Sequence, residues 1–310
     1  MSTLLYYDDA FLLHDTGQHP ENAGRLVAIR DHLQRQRLFE RCVRPLWQPA
    51  QEALLETVHS PQHVKLIEQC ADAGGGNMDP DTVVSPASYD VAKLAAGAAC
   101  DAVERVVAGE ANNALVLCRP PGHHALVRHT MGFCLFANVA LAARLALDKL
   151  GLDRVLVVDW DVHHGNGTQD IFWEEERVGF LSIHRYPFWP GSGAADETGG
   201  GAALGTTVNV PVKFGTSRQD YFARFETELA ALAAKTRPQL VLISAGFDAH
   251  AEDPIGSLGL ETEDFGRLTE IVRSVAGGLA GGKLVSVLEG GYNPRRLAES
   301  VGLHLEKLLE

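Results

Sequence analysis

The stretch RVLVVDWDVHHGNGTQ, residues 154–169, decides the fold. Residues 155–159 form a short continuous apolar run closed by an acid, the pattern of a strand covered on both faces, as in parallel sheets. Beyond it come Asp159, Asp161, His163, His164, Gly165 and Gly167. Burying so much ionisable chemistry at the end of a covered strand is costly unless the groups are paired or hold a metal. Similar apolar runs occur at 114–118, 178–183, 206–210, 240–244 and 284–288. Between them helical periodicity marks 23–36, 89–107, 138–150, 219–235, 263–277 and 294–309. In the last of these, Leu297, Val301, Leu305 and Leu308 fall on one stripe. Strand and helix alternate, which predicts an α/β fold: one open parallel sheet with helices on both faces. With no internal repeat and no low-complexity linker, residues 1–310 are expected to form a single domain.

The chain is 45% apolar and carries a formal charge of −13. That balance argues against nucleic acid as a partner, since phosphate binding needs a basic face. The five cysteines are scattered and form no paired motif, so a disulfide framework or a structural zinc site is not expected, and a reducing compartment fits better. No stretch reaches the ~20 uninterrupted apolar residues of a membrane span. The N-terminal MSTLLYYDDAFLLHD has no basic region and is a poor signal peptide. The expectation is a cytoplasmic protein.

Polar clusters follow the apolar runs in order: CRPPGHH (118–124), DWDVHHGNG (159–167), HRYPFWPGSG (184–193), AGFDAH (245–250) and EGGYN (289–293). In an open α/β sheet ligands bind outside the carboxyl ends of the strands, so these clusters should converge on one crevice. If the strand runs on through Asp161 and His163, the two side chains share a face. Asp248 adds a third ligand from a neighbouring strand. Two carboxylates and one imidazole leave a position open for water, the count of a catalytic zinc site, although Fe(II), Co(II) or Mn(II) would also be tolerated. Taken singly, the two acids read as helix caps and His163 as a core histidine; the convergence overrides that reading. His250 is a weaker substitute ligand and otherwise a loop residue. His123 and His124 are candidates for general acid–base work, each needing an acceptor on its far nitrogen. Asp159 and Asn166 are the natural partners, and an Asp raises a histidine's pKa far more than an Asn, so the two should titrate differently. Tyr292, after two glycines, is placed to donate to a developing oxyanion.

Together RPPGHHA (119–125), GFCLFANVALAA (132–143), DWDVHHGNGTQ (159–169), SAGFDAHAEDP (244–254) and LEGGYN (288–293) resemble the zinc-dependent histone deacetylase family of the arginase–deacetylase fold, over nearly the whole chain. HPENAGRL (19–26) matches more loosely. The resemblance implies Asp161, His163 and Asp248 as zinc ligands, His123 and His124 as the acid–base pair with Asp159 and Asn166 behind them, and Tyr292 polarising the acyl carbonyl. It implies Phe133 and Trp189 facing each other across a narrow channel lined by Gly132, and a structural potassium held by Asp159, carbonyls around Asp161 and His163, and Ser182. Asp81 corresponds to a rim aspartate that grips substrate backbone. The departures are informative. Asn166 and HHGNGTQ are class II-like or bacterial in character. Trp189 replaces a commoner Phe and narrows the channel mouth. Ile255 follows Asp253-Pro254 where polyamine-selective relatives have Glu. Gly165 stands where arginase-type binuclear hydrolases have a further Asp, so one catalytic metal is expected. The substrate implied is an acylated lysine peptide or a small acylated amine; the rivals are an acetylpolyamine deacetylase, an arginase-like ureohydrolase, and a catalytically weak acyl-lysine binding protein.

Overall fold

The computed structural model describes residues 2–310. Its strands are β1 (Thr3–Tyr6), β2 (Gly76–Asn77), β3 (Val83–Val84), β4 (Asn113–Val116), β5 (Val155–Asp159), β6 (Val178–Arg185), β7 (Thr207–Val212), β8 (Leu240–Ala245) and β9 (Leu284–Leu288). The helices are α1 (Gly24–Arg35), α2 (Glu52–Leu55), α3 (Pro61–Asp72), α4 (Ser88–Val107), α5 (Asn138–Asp148), α6 (Asn166–Ile171), α7 (Arg218–Thr236), α8 (Thr262–Leu279) and α9 (Pro294–Leu309).

Seven strands form one sheet in the order β1-β4-β9-β8-β5-β6-β7, and every neighbouring pair is parallel. Strands β4, β5, β8 and β9 are buried along their whole length, so helices cover both faces of the central sheet. This is the α/β architecture expected from the alternation of runs. The five strands that precede the polar clusters, β4, β9, β8, β5 and β6, lie side by side. Their carboxyl ends, and the clusters that follow them, therefore lie together along one edge of the sheet.

The elements not read from the sequence include β1, α3 and the short helices α2 and α6. Strand β1 pairs with β4 at the sheet edge, but its four residues are too short for a periodicity test. Helix α3 begins with Ser60 accepting from the His63 amide at 3.2 Å, with Pro61 in its first turn; that Ser-Pro start was a legible cap signature. The small antiparallel β2–β3 hairpin also escaped notice. Among the described residues no helix is long and apolar enough to cross a membrane, and all five cysteines are free.

Candidate functional site

Strand β5 stops at Asp159, so Asp161 and His163 do not share a face by strand alternation. The side chains meet by a different device. Asp159 Oδ1 accepts the Asp161 amide at 3.0 Å, and Asp161 Oδ1 accepts the His163 amide at 2.9 Å. Two successive carboxylates thus fold the backbone back on itself, each accepting from two residues on, as Asp does in turns. Asp248, just past β8, accepts the Val162 amide through Oδ1 at 2.9 Å, which stitches the two loops together.

The outcome is a buried group of Asp161, His163 and Asp248 whose candidate ligand atoms all lie within 4.8 Å of one another. His163 Nδ1 stands 3.0 Å from Asp161 Oδ1 and 3.1 Å from Asp248 Oδ2. Asp248 Oδ2 is buried without a hydrogen-bond partner. Burial, then repulsion from Asp161, pushes the Asp248 carboxyl up to about 7; a cation held between the two carboxylates would reverse that repulsion. Glycines make the room. A Cβ at Gly290 would lie 2.4 Å from Asp248 Oδ2 and 2.5 Å from Asp161 Oδ2, and one at Gly246 would lie 2.1 Å from Asp161 Oδ2. An orphaned buried oxygen, converging N and O donors and walls without side chains fit a divalent ion with mixed nitrogen and oxygen ligation. His250 stands apart. Its Nδ1 accepts the Glu252 amide at 3.0 Å, and its ring stacks on Phe265.

His123 and His124 follow the end of β4, their ring centroids 3.8 Å apart. His123 Nδ1 donates to Asp159 Oδ2 at 2.9 Å, and His124 Nδ1 donates to Asn166 Oδ1 at 2.7 Å, at the start of α6. Both rings are buried, which by itself disfavours the imidazolium. At His123 the Asp159 and Asp161 carboxylates outweigh burial and lift the pKa to about 10. At His124 burial, reinforced by repulsion from His123 and His163, drives it well below the ordinary value. The two imidazoles diverge in the direction their partners dictate. Glu289 was missed in the sequence. Its buried carboxylate accepts the Gly122 amide at 2.7 Å and the His123 amide at 3.2 Å through Oε2, and the Ser244 hydroxyl at 3.2 Å through Oε1. It pins the loop that carries both histidines, yet an acid before two glycines reads as an ordinary loop residue.

Tyr292 precedes the Asn293 cap of α9, and its amide donates to Asp253 Oδ2 at 2.7 Å. Asp253 Oδ1 accepts the amides of Ile255 and Gly256, both at 2.9 Å, so one carboxylate sets both loops. Arg25 donates to the Gly291 carbonyl at 2.7 Å and lies 5.1 Å from the centre of the Tyr292 ring. Phe133 packs edge-on to Tyr292 at 5.8 Å and to His19 at 4.5 Å. Trp189 instead packs edge-on against His124 at 4.7 Å and His163 at 5.7 Å, and remains 39% exposed. Gly132 fits between, since a Cβ there would lie 2.5 Å from both His124 and Trp189. Phe188, not singled out in the sequence, stacks on His163 at 5.3 Å. Asp81 sits in the β2–β3 connection, next to Thr82, whose hydroxyl accepts the Phe133 amide at 3.1 Å. Ser182 pairs in register with Asp159 across β5 and β6, its hydroxyl 2.9 Å from His184 Nδ1.

Residues 19–308 match the histone deacetylase domain family. Histone deacetylase 15 of Arabidopsis thaliana is 39% identical over 99% of this chain and 57% of its own length. Polyamine deacetylase HDAC10 of Homo sapiens is 41% identical over 99% of this chain and 48% of its own length. The chain therefore spans about half the length of these relatives. The crystal structure of the HDA15 HD domain superposes with a TM-score of 0.95 at 38% identity, covering 100% of this chain and 89% of that one. The sheet, the strand-end crevice and the extent of the match agree: the chain belongs to the histone deacetylase family.

Proposed function

We propose that this chain is a zinc-dependent deacetylase that removes acetyl or short acyl groups from lysine-like amines, releasing acetate and the free amine. The observation that carries the reading is the buried Asp161–His163–Asp248 group beside two histidines with opposed partners. Asp161, His163 and Asp248 would hold the ion. Zinc held there would supply Lewis acidity and so acidify the attacking water; Fe(II), Co(II) or Mn(II) would suit the same donors. A structural potassium would sit by Asp159 and Ser182, which face each other in register.

The residues divide the remaining work. His124, with a neutral amide behind it, stays an unprotonated imidazole and takes the proton of the attacking water. His123, backed by Asp159, holds positive charge beside the developing oxyanion. The imidazolium formed at His124 then protonates the leaving amine. The Tyr292 hydroxyl donates to the acyl oxygen as it gains charge. Phe133, Gly132 and Trp189 would wall the channel for the amine stem, with Asp81 and Ile255 at the rim. The chain would work as a single catalytic domain, and its free cysteines support a cytoplasmic setting.

A second reading keeps the chemistry and changes the substrate. One relative is named a polyamine deacetylase, while Ile255 in place of an acid weighs against a polycationic amine. The deciding experiment measures acetate released from acetyl-lysine peptides and from acetylated polyamines by zinc-loaded protein, with and without a chelating hydroxamate. Preference for peptides with inhibition by the hydroxamate is expected. Undiminished hydrolysis by metal-stripped protein, or tight peptide binding with no acetate at full metal occupancy, would overturn the proposal. In the same assay Tyr292→Phe should lower kcat roughly 10²–10³-fold with metal content unchanged.

A further inference from the structure

The loop 126–137 carries Gly132 and Phe133, and both sit in the left-handed region, at φ +55° and +70°. For phenylalanine that conformation is unfavourable and persists only when its surroundings impose it. Part of the restraint acts directly at the turn. Met131 and Cys134 exchange backbone hydrogen bonds, and Thr82 accepts the Phe133 amide. The remainder comes from a segment more than sixty residues earlier in the chain.

His59, 2% exposed, lies just before α3. Its Nδ1 donates to the Leu126 carbonyl at 3.0 Å, and its Nε2 accepts the Ala137 amide at 2.9 Å. A carbonyl can only accept and an amide only donate, so these partners fix one neutral tautomer. Beside it the Ser60 amide donates to the Val127 carbonyl at 2.8 Å, and His63 Nε2 donates to the Leu135 carbonyl at 2.9 Å. The His59 and His63 rings stack at 4.8 Å, and both meet Phe136. Burial, then the neighbouring His63, holds His59 down to about 3, so the clamp stays neutral across the working pH range.

We propose that His59 is a positioning residue for the channel wall: a single imidazole closes loop 126–137 at both ends and thereby sets where Gly132 and Phe133 stand. Its hydrogen-bond and ring partners, Leu126, Ala137, His63 and Phe136, include none of the metal-ligand or acid–base side chains, so it should govern how the acyl-amine stem is received more than the chemical step. That kinetic consequence rests on the deacetylase reading; the structural one does not.

The test compares zinc-loaded wild type with three variants. His59→Phe fills the volume and cuts both ties. His59→Asn keeps a donor near Nδ1, and His59→Gln keeps an acceptor near Nε2. Each is assayed for KM and kcat on an acetyl-lysine peptide, for zinc content and for hydrogen–deuterium exchange by segment. His59→Phe should raise KM roughly fivefold or more while kcat stays within about twofold, the pattern of lost substrate positioning. Exchange should rise in residues 126–137 and not across the sheet. Asn and Gln should each recover part of the loss, at opposite ends of the loop. Wild-type KM and wild-type protection of the loop in folded His59→Phe would overturn the proposal. So would a uniform rise in exchange with kcat falling in step with stability, which marks a merely structural histidine. Should wild type release no acetate, the deacetylase reading fails by itself, and protection of residues 126–137 alone decides the clamp.

Discussion

Glu289 shows how much of the site is backbone held by side chains. Both oxygens of its buried carboxylate are occupied, and burial, followed by the nearby Asp159 and Asp161 charges, pushes its pKa up to about 7. Glu289→Leu removes both acceptors and so leaves the buried Gly122 and His123 amides and the Ser244 hydroxyl without their partner. Stability should fall by about 1–3 kcal/mol, and displaced histidines should lower kcat roughly 10–100-fold. Denaturant titration beside turnover measurements checks both; unchanged values would show that the loop holds itself. Gly132→Ala is the steric counterpart. It places a methyl against His124 and Trp189 at a positive φ, so kcat/KM should fall roughly tenfold or more. The residues expected to do chemistry could be found from sequence because they are unusual company at strand ends. Glu289, Asp253, Arg25 and His59 could not, because they act on amides and carbonyls, and backbone geometry leaves no mark in residue type. Asp161 and His163 illustrate the gap: the pair was legible, but a pair of side-chain-capped turns, and not strand alternation, brings them together.

At the level of elements, the central strands were readable because a run buried on both faces cannot hide its composition. Both β5 and β9 coincide with their apolar runs, and β6 extends to Arg185. That last turn of strand carries the chain toward Phe188 and Trp189; polar His184 and Arg185 disguised it. Helix α9 was equally plain from its stripe. Its buried face packs on α1 and α8, and Leu305 is fully enclosed. Leu305→Ala should cost about 2–5 kcal/mol, read from the urea midpoint. Because α9 starts two residues after Tyr292, loosening it should also lower activity below the melting transition. Loss of stability with wild-type turnover at low temperature would show that helix and catalytic loop are uncoupled.

For the molecule as a whole, buried neutral histidines set the acid limit. Burial holds His304 down to about 3, and burial with the Arg119 charge holds His14 at about 4 despite Glu21 nearby. An unfolded chain takes up these protons near pH 6.5, whereas the folded chain refuses them until about 4 or 3. The contribution of these two histidines is therefore complete above pH 6.5 and drains away as pH falls toward those values. His304→Asn should flatten the dependence between pH 6 and 4 by up to about 1.4 kcal/mol per pH unit. Equal slopes for both proteins would place the acid sensitivity elsewhere. Glu21 adds a second dependence of the same sign. Although burial opposes ionisation, Arg119 and Arg25 hold its carboxyl down to about 2, so its contribution is present above about 4.5 and is lost on acidification toward 2.

Asp161 and Asp248 can bring their Oδ2 atoms together because positions 246 and 290 carry no methyl. Judging whether a related chain can still bind its ion therefore means inspecting what is missing as well as what is present. A paralogue with every ligand intact and alanine at position 290 would look competent in any comparison of reactive residues, and yet its methyl would push both carboxylates out of place.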